Sequence, residues 1–272
     1  TFNRVVSPPG PAIPDPVKPE TIKAYTVGIK SDLFNRRLRL NVEAFSYEYS
    51  NLVLNQTVTV LGGGGVTLFR NAARASIKGV DVDAEVIPFK NFSVTGFLDA
   101  KYKSYPNGQF FVYQPQAGGN CNFTGAGAGL CNSLALPPNW NLADGSWDLR
   151  GNRMNQSPKV AFTLTAQHTL PVSVGEIQSV LSWHHSSSYF FDPDNGMGQV
   201  LPSALVNDKQ KRLNILSGSV TWTSNDEGYS IRAWMKNITN QHYWLFASET
   251  GMGTFNNPAA PRTFGITASV RM

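Results

Sequence analysis

Apolar and polar residues alternate over long stretches of this chain, most cleanly at its end. Phe264, Ile266, Ala268, Val270 and Met272 fall on one parity, and Thr263, Gly265, Thr267, Ser269 and Arg271 on the other. Successive side chains of a strand point to opposite faces, so this is a strand with one apolar and one polar face. The pattern recurs upstream. Leu38, Leu40, Val42 and Ala44 oppose Arg37, Arg39, Asn41 and Glu43, and Val80, Val82, Ala84 and Val86 oppose Asp81, Asp83 and Glu85. Phe92, Val94, Gly96, Leu98, Ala100 and Tyr102 oppose Ser93, Thr95, Phe97, Asp99, Lys101 and Lys103. Val160, Phe162, Leu164 and Ala166 oppose Thr163, Thr165 and Gln167. Further strands are predicted near Lys23–Ser31, Glu176–Tyr189, Lys211–Thr223 and Tyr229–Asn240. The third strand, about Phe69–Ile87, carries Ile77 out of phase with Val80, which predicts a bulge at Gly79.

Connections alternate in length. Short turns are predicted at Asp32–Arg36, Pro88–Asn91, Pro171–Gly175 and Ser224–Gly228. Long ones run through the Gly-rich stretch Gly62–Gly65 and over about 104–156, 190–210 and 241–261. Meander barrels of outer membranes sort their loops in this way, and their strands of roughly ten residues are apolar outside and polar inside. A soluble sandwich or lipocalin can show alternating strands but has no reason to sort every loop by length. The expected fold is therefore all-β, an antiparallel up-and-down transmembrane β-barrel. About nine strands form an odd set, whereas bacterial single-chain barrels have an even number, and an open edge in lipid leaves costly unpaired backbone groups. The chain is expected to be the C-terminal part of a larger barrel. Residues 1–22, rich in proline, read as an extended, extracellular-type segment, and 23–272 as barrel wall.

Composition changes this picture little. No run of about 18 apolar residues occurs, which excludes a spanning helix and leaves a barrel open. Charged residues make up 15 % of the chain, and the net charge of +5 is scattered. No basic stripe of the kind a nucleic acid needs is visible. Cys121 and Cys131 share one loop, where a local disulfide in an oxidising compartment is favoured over a two-Cys metal site. The chain begins at Thr1 without a signal sequence, so a processed protein or a piece of a longer one is expected.

Four segments resemble the TonB-dependent outer-membrane receptors. Lys18-Pro-Glu20 followed by Ala24–Ser31 is similar to their "kPE…yElGlKs" words, and Arg70-Asn71-Ala72 with Ile77–Asp81 to "rNa…kGvE". Lys236–Tyr243 resembles "vkNltNkhY", and Pro261–Gly265 the "PRtfg" opening of the last strand. The segments stand in family order and span nearly the whole chain. Two departures matter: the chain ends in Met272 where the family usually has Phe, and no counterpart of the plug or TonB box is present. The resemblance implies a barrel of about 22 strands with a plugged lumen. It also implies active uptake of a scarce ligand: a ferric siderophore, haem, cobalamin or an oligosaccharide. The partners it implies are TonB (through the missing N-terminal part), outer-membrane lipid and lipopolysaccharide, and the barrel-assembly machinery at the C-terminal strand, with the bacterial outer membrane as location. A passive porin-like channel and a non-transporting barrel with adhesive loops are the alternatives.

Ligand contact is expected in the outer loops and upper lumen, where aromatics and Arg supply area and fixed donors. The candidates are Tyr105, Phe110, Phe111, Tyr113, Trp140, Trp147, Arg150 and His184; membrane-rim or loop packing is the alternative for each. Adjacent strand residues face opposite ways, so His184 and His185 should not share one ion. Asp192-Pro-Asp194-Asn-Gly196 resembles a calcium loop faintly, but Gly is missing from its sixth position and Glu from its twelfth, where Ser203 stands. The carboxylates Asp81, Asp83 and Glu85 are expected to pair with cations across the lumen wall rather than to act in catalysis. No Gly-x-Ser-x-Gly, Walker or His-Glu-x-x-His motif occurs, and no cofactor or enzymatic activity is expected.

Overall fold

A computed structural model describes residues 16–59, 65–111, 140–141, 146–193, 195, 208–250 and 253–271. In chain order the strands are β1 (Thr21–Leu33), β2 (Leu38–Thr59), β3 (Gly65–Phe89), β4 (Phe92–Phe111), β5 (Trp140–Asn141), β6 (Ser146–Asp148), β7 (Val160–Val172) and β8 (Gly175–Ser186). They continue as β9 (Tyr189–Phe190), β10 (Lys209–Gln210), β11 (Leu213–Ser224), β12 (Tyr229–Lys236), β13 (Trp244–Thr250), β14 (Gly253–Pro258) and β15 (Thr263–Val270). Among the described residues there is no helix. Nine strands form one antiparallel meander in the order β1-β2-β3-β4-β7-β8-β11-β12-β15, each hydrogen-bonded to its neighbour in sequence.

The alternation holds across the whole sheet, because register partners in an antiparallel ladder share a face. One row runs Val27, Ala44, Val80, Ala100, Val160, and another runs Ile29, Val42, Val82, Leu98, Phe162, His185. Further along the same face, Leu181, Gly218, Met235 and Phe264 stand in line. This apolar face lies open: Val27 is 72 % exposed, Phe264 74 % and Ile266 77 %. The opposite face carries Arg39 beside Glu85, Asn41 beside Asp83, and Thr163 beside His184.

Aromatic residues bracket the apolar band. Toward the short turns stand Phe92, stacked on Phe89 at 4.9 Å, with Trp222 and Tyr229; toward the other end stand Tyr25, Tyr102 and Trp183. From Phe92 to Tyr102, at roughly 3.3 Å per residue and a tilt of roughly 40°, the band is about 25 Å tall, the height of a bilayer's hydrocarbon region as barrels span it.

Three expectations need correction. No bulge occurs at Gly79: the β2–β3 register is continuous from Leu38↔Val86 to Tyr49↔Ala75. Ile77 instead joins the polar face, where it is buried with Phe45, whose ring stacks on Tyr47 at 5.0 Å. A Cβ on Gly79 would meet Phe45 Cζ at 2.7 Å, so this glycine clears space for a ring. The irregularities lie higher, between Tyr49 and Leu52 and between Arg74 and Ser76. Second, β2, β3 and β4 run past the expected strand ends, and β2 and β3 stay paired as far as Thr59↔Gly65, well beyond the last β1 pair, Thr21↔Ser50. Third, the eighth strand of the meander stops at Lys236, where Asn237 and Asn240 take positive φ values of 51° and 48°. The stretches read as irregular also contain short pairs: β5 with β6, β9 with β10, and β13 with β14.

Candidate functional site

Every short turn leaves one end of the meander, and every other described connection gathers at the opposite end. The candidate site is this loop end, and it is held together by backbone carbonyls bonded to amide side chains. Tyr105 sits at its centre with 0 % exposure, packed with Leu149, Ala73 and Ala75. Its N–H donates to the Asn152 carbonyl at 3.0 Å, its own carbonyl accepts from Gly151 N–H at 2.9 Å, and its hydroxyl donates to Asn155 Oδ1 at 3.1 Å. The chain after β6 is thereby fixed against β4.

The 187–195 segment is fastened to this unit. Asn152 Nδ2 donates to the Pro193 carbonyl at 3.1 Å, and Asn195 Oδ1 accepts from Arg153 N–H at 2.9 Å while its Nδ2 donates to the Arg153 carbonyl at 2.8 Å. The Arg153 guanidinium donates to the carbonyls of Ser188 at 2.7 Å and Ser157 at 3.3 Å. A guanidinium presents several donors in a fixed plane, which suits it to clamping two carbonyls at once. Burial, reinforced by the nearby Tyr243, pushes the Tyr189 phenol above its ordinary value.

Two further staples close the rim. Asn237 accepts from Gln241 N–H at 2.9 Å and donates to the Gln241 carbonyl at 2.9 Å, and Asn240 Oδ1 accepts from Arg262 N–H at 3.1 Å. On the other side Asn71 accepts from Lys18 N–H at 2.6 Å and donates to the Lys18 and Asn51 carbonyls, while Glu20 accepts from Val53 N–H at 2.6 Å. Above the rim the β13–β14 hairpin exposes Leu245, Phe246 and Phe255.

The expected contact residues divide accordingly. Tyr105 is enclosed, which suits it to supporting loops rather than offering a surface. Phe110 and Phe111 lie at the top of β4, in register with Trp147 and Ser146 of β6, and Trp140 pairs in turn with Trp147, so Phe110, Trp140 and Trp147 converge on one small sheet. Arg150 projects into the open with its guanidinium 3.2 Å from Asp148. His184 stands on the polar face 3.0 Å from Thr163 Oγ1, whereas His185 stands on the apolar face, stacked on Phe162 and 2.8 Å from Asn214 Oδ1. The two imidazoles point opposite ways. Tyr113, Cys121 and Cys131 lie outside the described residues, as do Asp194 and Gly196. Sequence reasoning missed Asn152, Arg153 and Asn195; a lone Asn or Arg in an irregular stretch gives no signal of what it will bond.

Lower on the polar face, Arg39 lies 3.0 Å from Asp32 and 3.9 Å from Glu85, and Lys101 pairs with Asp99. The Arg39 pairs cross from β2 to β1 and β3, as expected of a wet wall, whereas Lys101 and Asp99 both stand on β4; of the carboxylates expected to pair, Glu85 does so, and among the described residues no ion pair involves Asp81 or Asp83. Among the described residues no group of three or more His, Cys, Asp or Glu could hold a metal ion. An open groove of about 900 Å³ lies between Phe92 and Phe264 on the apolar face and brings none of the candidate residues together.

A one-sided meander with apolar outer residues, aromatic brackets and all long connections at one end defines the wall of a membrane-type β-barrel. The family model for the TonB-dependent receptor-like β-barrel matches residues 1–238, and the chain belongs to that family. No curated protein matches it significantly. Among solved structures it is similar to FyuA, the ferric yersiniabactin uptake receptor of Yersinia pestis, at 15 % identity and a TM-score of 0.64 over 92 % of this chain and 30 % of that one. It is similar to Fiu, the ferric-catecholate import receptor of K12 E. coli, at 17 % identity and a TM-score of 0.57 over 92 % and 27 %. The copper transporter OprC gives 14 % identity and a TM-score of 0.60 over 96 % and 33 %. The chain thus spans about 30 % of the length of FyuA. At such identities the likeness shows the fold alone. The family and these neighbours are transport receptors, not enzymes.

Proposed function

We propose that this chain is part of the wall of a bacterial outer-membrane receptor that takes up a metal chelate, a ferric siderophore being the foremost class, by coupling to TonB. The observation that carries this reading is the separation of faces: an uncharged, mainly apolar band about 25 Å tall outside, ion pairs inside, and a stapled loop platform at one rim. Such a wall suits a lumen that holds a plug, and the platform suits capture of a ligand too scarce to diffuse in. The similarity to FyuA and Fiu, whose cargoes are ferric chelates, supports the ligand class. In this reading the aromatics Phe110, Trp140 and Trp147 and the cation Arg150 supply contacts from the loops, and a disulfide between Cys121 and Cys131 ties the longest loop.

The test is uptake of radiolabelled iron bound to catecholate and to mixed-ligand chelators by cells carrying the full-length protein, with and without TonB. Uptake that saturates at low concentration and vanishes without TonB is expected. Uptake that is linear in concentration and indifferent to TonB would make the protein a passive channel.

A further inference from the structure

The polar face is unevenly charged. On β2, β3 and β4 it carries the carboxylates Glu43, Asp81, Asp83, Glu85 and Asp99. On β7, β8, β11, β12 and β15 it is built mainly of hydroxyls. Among the described residues the one carboxylate on the polar face of those five strands is Glu176, opposite Pro171 and Thr223 at the short-turn end. Two cations nonetheless stand on this second half: Arg232, between Thr221 and Thr267, and Lys236, opposite Thr263. Both are exposed, and none of the ion pairs among the described residues involves either.

Between these cations, on the same face, stands Trp234. Its register partner on β15 is Gly265, and a Cβ there would meet the indole Cζ2 at 2.7 Å and Cε2 at 3.0 Å. The missing side chain thus lets the six-membered ring settle over the neighbouring strand. Indole Nε1–H donates to Thr267 Oγ1 at 3.3 Å, which pins the ring, and Lys236 Nζ lies 5.7 Å from the ring centroid. Toward β11 its partner is Ser219, a small neighbour, and the indole stays only half-buried. Because β12 ends at Lys236, the ring stands one step inside the loop end of the wall.

We propose that Trp234, flanked by Lys236 and Arg232, binds a planar aromatic anion just inside the mouth of the lumen: the catecholate ring of an iron chelate, met after the loops have captured it. A fixed indole offers a π face to a second ring, and the two cations, unmatched by carboxylates on their half of the wall, favour a ring that carries negative charge. This inference rests on the uptake reading above and deepens it by naming the chemistry that the wall receives.

The test is isothermal titration calorimetry of the full-length protein in detergent with a vicinal dihydroxybenzoate, and with cyclohexanecarboxylate as a saturated anion of similar size. Wild type should bind the aromatic anion about five- to tenfold more tightly than the saturated one. W234L keeps an apolar cover over Gly265 but has no π face, and should erase that preference; W234F should keep most of it. K236Q should weaken both anions about threefold, because charge acts on each alike. Equal affinity of wild type and W234L for dihydroxybenzoate overturns the proposal. So does a W234L that weakens both anions by the same factor, which would make Trp234 a packing residue only. Uptake of radiolabelled ferric catecholate, with and without TonB, separates the two readings. TonB-dependent uptake together with a W234L that binds dihydroxybenzoate like wild type loses this site alone. A wild type that binds dihydroxybenzoate through Trp234 yet imports no chelate keeps the site and loses the uptake reading.

Discussion

Leu98 offers the sharpest test of which face meets lipid. It stands on the apolar face of β4 between Val82 and Phe162, its register partners on either side. It is four residues from Tyr102 and six from Phe92, so at roughly 3.3 Å per residue and a tilt of roughly 40° it lies about 10 Å from one aromatic level and about 15 Å from the other. That is close to the middle of the band. An arginine there costs about 2–4 kcal/mol in a lipid-facing barrel position, against about 0–1 kcal/mol near an interface. We expect L98R to lose about 3 kcal/mol, roughly a hundredfold in the folding equilibrium. Thr95, three residues away, is the control. It faces the wet side between Glu85 and Thr165, so an arginine there gains a carboxylate neighbour, and T95R should stay within about 1 kcal/mol of wild type. The assay is guanidinium unfolding of the full-length protein in vesicles, followed by tryptophan fluorescence and heat-modifiability on gels. If T95R proved the costlier substitution, the faces would be reversed. If both cost several kcal/mol alike, the wall would be packed on both sides and not exposed to lipid at all.

Three other outcomes follow from the described contacts. Truncating Tyr105 to Ala should cost about 3–5 kcal/mol through the cavity it leaves and should weaken ligand capture with no loss of a ligand contact; limited proteolysis within residues 149–195 measures the loosened loops. G79V should destabilise the wall by at least about 2 kcal/mol, because its first carbon already meets Phe45 Cζ and the Ala100 carbonyl at 2.7 Å, and G79V combined with F45A should recover part of the loss in the same unfolding assay. In the short turn at 224–228, hydrogen bonds from Ser224 Oγ and then Gly228 N–H hold the Asp226 carboxyl below its ordinary 3.8. A depressed carboxylate contributes above its unfolded value and loses that contribution as pH falls through the folded one, so the turn should open only below pH 3.8 in wild type, and this acid step should vanish in D226N; amide exchange at Gly228 reads it.

The parts of the fold that were legible in the sequence are those where one physical asymmetry acts alone. Val94 to Tyr102 alternates, with Phe97 the one large apolar residue on the polar parity, because one side meets an apolar surrounding and the other a polar one, and the period of a strand records that directly. The reading failed at Gly79 for the converse reason: the polar face holds a local apolar cluster of Phe45, Tyr47 and Ile77, and an apolar residue there imitates a phase shift. Strands of two residues, such as Tyr189–Phe190, are shorter than any period and could not be seen. In the site, aromatics and Arg150 were visible as chemistry, but their grouping was not. The convergence of Phe110 with Trp147 comes from pairing between β4 and β6 across a long stretch of sequence, and the burial of Tyr105 from carbonyls that carry no sequence signal.

The words that carry the family resemblance gain a physical meaning from where they sit. Lys18 and Glu20 of the first segment bond Asn71 and Val53. Asn237 of the third closes the turn onto Gln241, and Asn240 holds Arg262 at the start of the last strand. Asn237 and Asn240 adopt positive φ, where asparagine is tolerated and most residues are not. These residues mark the points at which a strand leaves the wall and its chain must be redirected into a loop. Their spacing is set by wall geometry and is independent of what the loops bind. The resemblance therefore identifies the wall, while cargo specificity lives in side chains beyond it, on loops free to change around fixed roots. Substituting Asn237 by Ala should accordingly cost about 1–3 kcal/mol of stability through orphaned Gln241 groups and lower the uptake of every ligand alike; a change in preference between chelators on its loss would place Asn237 in the binding surface instead.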